Sequence, residues 1–272
     1  MGTQSIRFSL MNAKYWQKQT PDSPLFPEIE WNRPEQKTRA GKLVILGGNK
    51  LGFVSVASSY ADAEKCGVGE IRVLLPDALK HSLPVTILDT IYVASNPSGG
   101  MAREARNDVL AGLQWAEHGL LIGDTGRNSE TAMIYESLLD TQTPLTVTRD
   151  AVDLLRQAAP KMVDRPYTTL VVSFAQLQKL FQSVYYPKML SFSMQLSLLV
   201  ETLHKFTITY PCTIVTYHQN QLIVSHSGQV VTQELEDPML IWRGTVATRA
   251  ACYQIWTPSK PLEAVASSTI HL

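Results

Sequence analysis

The sequence of 272 residues is poor in cysteine and has no excess of charge of one sign. Cys66, Cys212 and Cys252 are its only cysteines. None stands in a CxxC pair, which excludes a zinc ribbon and a thioredoxin-type motif. An odd, sparse count suits a reducing compartment. Lys and Arg number 24, as do Asp and Glu, so the formal net charge is zero. That balance argues against a nucleic-acid partner, whose binders carry a basic excess. It also removes any global field that would steer a charged substrate. An anionic ligand must then be held by local groups. No apolar run nears the roughly 18 residues of a membrane span, so no membrane partner is expected. Residues 1–12 contain Arg7 but no apolar stretch, against a secretory signal. Met1-Gly2 opens like a myristoylation site, but Ile6 stands where Ser or Thr is required. The expectation is a cytoplasmic protein.

Several catalytic signatures are missing as well. There is no GxGxxG and no GK[ST], so neither the Rossmann nor the Walker loop is met. There is no GxSxG elbow for a serine hydrolase, and no cysteine has a histidine partner that spacing identifies. The six histidines carry little signal. His218 and His226 flank a turn at Asn220, where two strands would bring them together as a metal pair. Isolated surface histidines are the simpler reading, and no metal site is assigned.

Present instead is a regular alternation. Residues 1–40 are punctuated by Pro21, Pro24, Pro27 and Pro34, each of which withholds an amide donor. They read as a lead that packs on the domain through Tyr15, Trp16 and Trp31. Residues 41–272 read as a single domain. Strands are predicted at Leu43–Leu46, Ile71–Leu75, Leu120–Ile122, Leu145–Val147 and Leu170–Val172. Helices are predicted at Val54–Cys66, Arg103–Glu117, Glu130–Leu139, Asp150–Gln157 and Met189–His204. Such alternation means a parallel sheet covered on both faces. Thr213–Tyr217, Leu222–Ser225 and Gln229–Thr232 then read as an antiparallel meander at one sheet edge. Helices at Thr245–Trp256 and Leu262–Leu272 close the chain.

In open α/β sheets, ligands bind beyond the carboxyl ends of the strands. Three loops fall there. Gly47-Gly48-Asn49 follows the first strand of the domain, and its glycines allow close backbone approach. Gly123-Asp124-Thr125-Gly126-Arg127-Asn128-Ser129 joins a strand to a helix, whose free amides attract phosphate; Arg127 adds a forked cation. Trp242-Arg243-Gly244-Thr245 opens another helix, with Thr245 its expected N-cap. The amides of Thr245 to Thr248 form a third anion hole, with Arg243 beside it. The competing readings are a plain strand-to-helix turn for the first loop, a plain capped turn for the second and a simple N-cap at Thr245 for the third.

From about Lys37 onward the order of these loops resembles the ADP/ATP-dependent NAD(P)HX dehydratases of the ribokinase-like superfamily. Lys42 to Asn49 (KLVILGGN) is similar to the family's first strand and Gly-Gly-Ser loop. Lys65 to Leu74 (KCGVGEIRVL) is similar to its Ala-Gly-Ala-Gly stretch. Leu121 to Thr131 (LIGDTGRNSET) resembles its Gly-Pro-Gly-Leu-Gly-Arg loop, one residue shorter. Thr148 to Leu154 (TRDAVDL) resembles its Asp-Ala-Asp-Ala-Leu segment, and Gly244 to Val265 its last motif with the two helices that follow.

The resemblance implies a ribokinase-like three-layer α/β/α sandwich with a mainly parallel central sheet and an antiparallel edge. It implies ADP or ATP as cofactor, with Mg²⁺, an NAD(P)H hydrate as substrate, and a homo-oligomer. It places nucleotide or phosphate at Gly123, Thr125, Gly126, Arg127, Arg243, Gly244 and Thr245, and the substrate side at Gly47, Gly48 and Asn49. The chemistry departs from the family's pattern. Thr245 stands where the family's Gly-Thr-Gly-Asp motif supplies its carboxylate. The Pro-His-Pro-Gly-Glu run falls at Val171 to Gln176 (VVSFAQ). The Leu-Lys-Gly strand end falls at Thr216-Tyr217-His218. Leu272 is an earlier end than the resemblance leads one to expect. An impaired dehydratase, a nucleotide-binding pseudoenzyme, a structural or regulatory oligomer, and an active enzyme using Asp124, Asp150 or Asp237 are the readings that follow.

Overall fold

The computed structural model describes residues 14–81, 89–270 and 272. The readings made on Met1, Gly2, Ile6, Arg7 and His271 lie outside the described residues. The strands are β1 (Trp16–Gln19), β2 (Lys42–Gly47), β3 (Glu70–Pro76), β4 (Thr90–Val93), β5 (His118–Gly123), β6 (Leu145–Thr148), β7 (Thr168–Val171), β8 (Thr213–His218), β9 (Gln221–His226) and β10 (Gln229–Glu234). The helices are α1 (Val54–Cys66), α2 (Arg106–Trp115), α3 (Ser129–Leu138), α4 (Asp150–Leu154), α5 (Ala159–Asp164), α6 (Phe174–Ser183), α7 (Leu196–Thr209), α8 (Met239–Arg243), α9 (Thr245–Trp256) and α10 (Pro261–Ser268).

All ten strands form one sheet in the order β1-β10-β9-β8-β7-β6-β5-β2-β3-β4. The pairs from β8 across to β4 are parallel, and β8-β9 and β9-β10 are antiparallel hairpins. From β2 the chain runs outward to β4, then returns to the other side of β2 as β5. The strand order therefore reverses between β2 and β5. That is the switch point where crossovers diverge to opposite sides and leave a crevice.

Burial explains the central strands. Every residue of β5 is buried, as are Leu43 to Gly47 of β2. Such strands read as continuous apolar runs because helices cover both faces. One core cluster packs α2 to α7 on the first face, through residues such as Leu113, Tyr135, Met162, Phe181 and Phe206. The second packs α1, α8, α9 and α10 on the other, through Val56, Ile241, Ala250 and Val265. The middle layer between them is the sheet, giving three layers. Helix α1 stops at Gly67, whose φ of 91° lets its amide turn back to the carbonyls of Ala63 and Glu64.

The differences from the predicted elements have local causes. The lead adds strand β1, paired in parallel with β10 from Trp16–Val230 to Gln19–Gln233. The antiparallel meander thus lies one strand in from the edge. Tyr15 and Trp16 pack on the core as expected, but Trp31 is 88% exposed and is not the apolar anchor expected of it. The helix predicted at Met189–His204 begins only at Leu196. Ser191 and Ser193 pair their hydroxyls at 2.9 Å before it, the local bonding that competes with a helical backbone. Helices α5, α6 and α8 and strand β4 are additions.

Candidate functional site

The loops after β2 and β5 meet at the switch point. Gly47 lies so close to β5 that a Cβ there would sit 2.4 Å from the Gly123 carbonyl oxygen. The Gly48 amide donates to that oxygen at 2.8 Å. Asn49 Nδ2 donates to the Asp124 carbonyl at 2.6 Å. The three residues nominated for the substrate side therefore form a floor tied directly to the β5 loop. A turn after β4 closes this side: the Lys50 amide donates to Gly99 at 3.0 Å, and Asn128 Nδ2 to Ser98 Oγ at 2.6 Å.

The β5 loop is organised around a carboxylate. Asp150, the first residue of α4, accepts from the amides of Asp124 (2.8 Å), Thr125 (3.0 Å) and Gly126 (3.0 Å), and from the Thr125 hydroxyl at 3.3 Å. Successive amides wrapped round an anion form a nest. Here the anion is supplied by the chain itself. Gly123 has a φ of 92°, and a Cβ on it would lie 2.0 Å from Asp150 Oδ1; glycine admits the carboxylate to the strand end. Thr125 is 2% exposed and faces inward. The charge is felt below: burial first, and Asp150 second, push the Tyr135 phenol upward.

Asp124 faces the other way. Its Oδ2 accepts from the Ser55 amide in the first turn of α1 at 2.8 Å. Its Oδ1 pairs with Arg149 Nη2 at 2.7 Å. Arg149 Nη1 donates to the Trp242 carbonyl. One guanidinium therefore spans from the β5 loop to the turn that opens α9. Arg149 has φ 56° and ψ −140°, and its carbonyl is held by Gln176 Nε2 at 2.7 Å. Gln176 also closes a capping box with Ser173 at the start of α6. The VVSFAQ stretch thus serves helix capping and holds Arg149.

The third loop adjoins the first two. Gly244 has φ 92°, and a Cβ there would stand 2.4 Å from Ile122 Cδ1 at the end of β5. Gly244, not Thr245, is the N-cap of α9, and no side chain caps it. This corrects the expected capping role of Thr245, which is the first helical residue. The Thr248 amide and hydroxyl both return to the Gly244 carbonyl. The first amides of α9, from Thr245 to Ala247, have no partner within that helix itself, and no side chain caps it. Arg243 pairs with Asp237 at 3.7 Å, and Asp237 also accepts from the Met239 amide at 2.9 Å.

Beside this turn lies an apolar cleft of about 300 Å³, walled by Phe174, Phe192, Tyr217, His218, Ile241 and Trp242. Phe174 stacks on His218 at 4.8 Å, and His218 Nε2 bonds the Met194 carbonyl at 2.8 Å. His226 bonds Thr213 Oγ1 at 3.0 Å at the far end of the hairpin. The two histidines are therefore neither a metal pair nor isolated on the surface. Arg127 is exposed and lines a different cleft, of about 910 Å³, with Glu136, Asp153, Arg156 and Lys179. Neither Arg243 nor Gly244 is a wall of that cleft, so the two nominated arginines are not brought to one cavity. Arg149, Ser55, Gln176 and the aromatic walls were missed from sequence. Two had a signal: Arg149, a cation within the quoted TRDAVDL segment, and Gln176, which with Ser173 makes the S-x-x-Q capping pattern in VVSFAQ.

No protein-family model matches the chain. Among curated proteins, the bifunctional NAD(P)H-hydrate repair enzyme of Thermosynechococcus vestitus is 25% identical over 147 residues. That match spans 53% of this chain and 28% of the length of that enzyme. Among solved structures, a ribokinase-like superfamily protein from Enterococcus faecalis superposes with a TM-score of 0.71 at 16% identity, covering 94% of this chain and 86% of that one. The ADP/ATP-dependent NAD(P)H-hydrate dehydratase of Bacillus subtilis, co-crystallised with ATP and Mg²⁺ and soaked with CoA, gives 0.59 at 12% identity, covering 91% and 86%. No helix among the described residues is long and apolar enough to cross a membrane. The chain has the ribokinase-like fold, and its sequence likeness within that fold is to an NAD(P)H-hydrate repair enzyme.

Proposed function

We propose that this chain is a nucleotide-binding relative of the NAD(P)H-hydrate dehydratases whose dehydration chemistry is impaired. The observation that carries the reading is the commitment of every nominated carboxylate. Asp150 is bound by three amides. Asp124 is held by Arg149 and the Ser55 amide. Asp237 is held by Arg243 and the Met239 amide. A general base must be free to take a proton within hydrogen-bond reach of its substrate. Thr245 cannot replace it, because a hydroxyl is not a base near neutral pH. Loss of a positioned base costs typically about 10²–10⁴ in rate.

Nucleotide binding is supported by a different part of the site. The N-terminus of α9, capped by no side chain, and the nearby Arg243 favour an anion. The cleft between Phe174, Tyr217 and Trp242 suits a flat ring next to that anion. ADP or ATP is the ligand class proposed, with Mg²⁺ carried on its phosphates. The β5 loop and Arg127 contribute less directly than the α9 turn, since the loop amides already hold Asp150.

The test pairs binding with turnover. Ligands that bind only the folded state raise the melting temperature. ADP and ATP are expected to do so, while NADH hydrate with ATP and Mg²⁺ is expected to persist unchanged. No shift at saturating nucleotide sinks the binding half. Wild-type turnover at a rate typical of a dehydratase sinks the impairment half. Thr245→Asp is expected to raise turnover if the missing carboxylate is what limits it.

A further inference from the structure

Arg149 sits where an ordinary residue would be strained. Its φ of 56° with ψ −140° is a backbone conformation that side-chain-bearing residues rarely adopt. The structure maintains it through two bonds to the Arg149 carbonyl, from Gln176 Nε2 at 2.7 Å and from the Val152 amide at 3.1 Å. Strain held in place by its surroundings clusters at functional positions. The result is a guanidinium suspended between two loops, with the Asp124 carboxylate on one side and the Trp242 carbonyl on the other.

A guanidinium has five N–H donors. Among the described residues, acceptors meet two of Arg149's, one on each terminal nitrogen. Its Nε is buried with no partner. The side chain retains 26% exposure. Donors therefore remain, on a group already oriented and not free to swing. The carbonyl it grips lies in the last turn of α8, immediately before the N-terminus of α9, which no side chain caps. The Asp-Ala-Asp-Ala-Leu segment that this stretch resembles contains no arginine.

Resting on the nucleotide-binding reading above, we propose that Arg149 is the cation that receives the outer phosphate of a bound nucleoside di- or triphosphate at the α9 turn. The phosphate adds to the unused donors of the two terminal nitrogens; Asp124 stays in place, because the Ser55 amide holds its second oxygen. Asp124 has two effects. It orients the guanidinium and, as a like charge beside the phosphate, it lowers affinity. A planar fork matches a phosphate in a way that an ammonium does not. Arg149 is thus a specificity residue that distinguishes phosphorylated from unphosphorylated ligands.

Isothermal titration with ADP, adenosine and inorganic tripolyphosphate tests this. Arg149→Ala is expected to weaken ADP and tripolyphosphate by about tenfold or more, with adenosine unchanged. Arg149→Lys should recover part of the loss. Asp124→Asn keeps an acceptor for Ser55 while removing the charge, and is expected to tighten both phosphate ligands severalfold. An equal effect of Arg149→Ala on ADP and adenosine, or no effect on either phosphate ligand, overturns the assignment. If Arg149→Ala does not fold, unchanged phosphate affinity in both Arg149→Lys and Asp124→Asn overturns it instead. If wild type binds tripolyphosphate through Arg149 but no nucleotide, the nucleotide reading fails and the phosphate site stands. If wild type binds none of the phosphate ligands, both fall.

Discussion

Asp150 grips Thr125 twice, its Oδ2 accepting from the amide at 3.0 Å and from the hydroxyl at 3.3 Å. The same oxygen also accepts the Gly126 amide. A loop that looks from sequence like a phosphate cradle is thereby filled by a neighbouring helix. Donor groups aimed at one point select an anion, but they do not specify whether it arrives in solution or on the chain. Here α4 brings it, and the loop, with Gly126 and Arg127 lining the larger cleft, is closed on the chain's own carboxylate.

This relationship predicts a stability effect larger than that of an exposed aspartate. Asp150→Ala leaves three loop amides without their acceptor. The cost is expected at about 3 kcal/mol, from charge-assisted bonds that leave partners unmet. Asp150→Asn retains one carbonyl acceptor and is expected to lose roughly half as much. Urea unfolding measures both. A loss under about 1 kcal/mol for the alanine variant, the level of one ordinary bond, means that the loop is organised by something else.

Gly244→Ala offers a test with two separable causes. The added methyl meets Ile122 Cδ1 at 2.4 Å, and the φ of 92° strains any L residue. Together they are expected to destabilise by about 2–4 kcal/mol. Ile122→Val removes the clashing methyl but not the backbone strain. The double variant should therefore recover part of the loss and no more. Additive losses in the double-mutant cycle would show that the methyl contact is not what constrains this turn.

Much of the scaffold was legible because its signals are local. Leu43 to Leu46 is an unbroken apolar run that becomes a fully covered strand, and Gly67 marks the end of α1 where a left-handed residue is needed. Strand β1 was not legible. Its sequence is Trp-Gln-Lys-Gln, and its partner β10 lies more than two hundred residues away. The same holds within the site. Asp150 stood out as a carboxylate, but the donors it accepts from are backbone amides, which every loop has. Arg149 grips the Trp242 carbonyl, 93 residues distant. A backbone oxygen leaves no mark in a sequence, so the link between the β5 loop and the α9 turn had to come from the fold.

Strand β1 also predicts how the chain tolerates truncation. It covers the edge of β10, with Trp16 Nε1 donating to Thr232 Oγ1 at 2.9 Å. Gln19 Nε2 reaches both Gln233 and the Ala266 carbonyl at 2.9 Å. Removing residues 1–13 leaves β1 intact and provides the reference. Removing residues 1–20 exposes the β10 edge, a template for pairing with another chain. Relative to the shorter truncation it is expected to lose about 2 kcal/mol or more through the half-buried Trp16 and the buried Gln19 contacts, and to aggregate as concentration rises. Equal melting temperatures and equal scattering from the two truncations would show that β1 adds nothing to the edge.

Acid sensitivity is expected to arise in the middle of the sheet, at His118, the first residue of β5. Burial first, and the Arg165 charge second, push its imidazole from 6.5 down to about 3. Nε2 bonds Thr146 Oγ1 at 2.8 Å, and among the described residues Nδ1 is buried with no partner, so an imidazolium would carry a second N–H with no acceptor. Between pH 6.5 and 3 the unfolded chain binds a proton at this site that the folded chain does not. Stability is therefore complete above the unfolded value and falls as the pH drops below it. One proton corresponds to about 1.4 kcal/mol per pH unit, giving a loss of about 2 kcal/mol at pH 5 relative to neutrality. His118→Leu removes the titration while keeping a buried side chain of similar bulk. Urea unfolding of both proteins across pH 5 to 7.5 should show the wild type losing this amount in excess of the variant. Parallel profiles would place the acid sensitivity elsewhere.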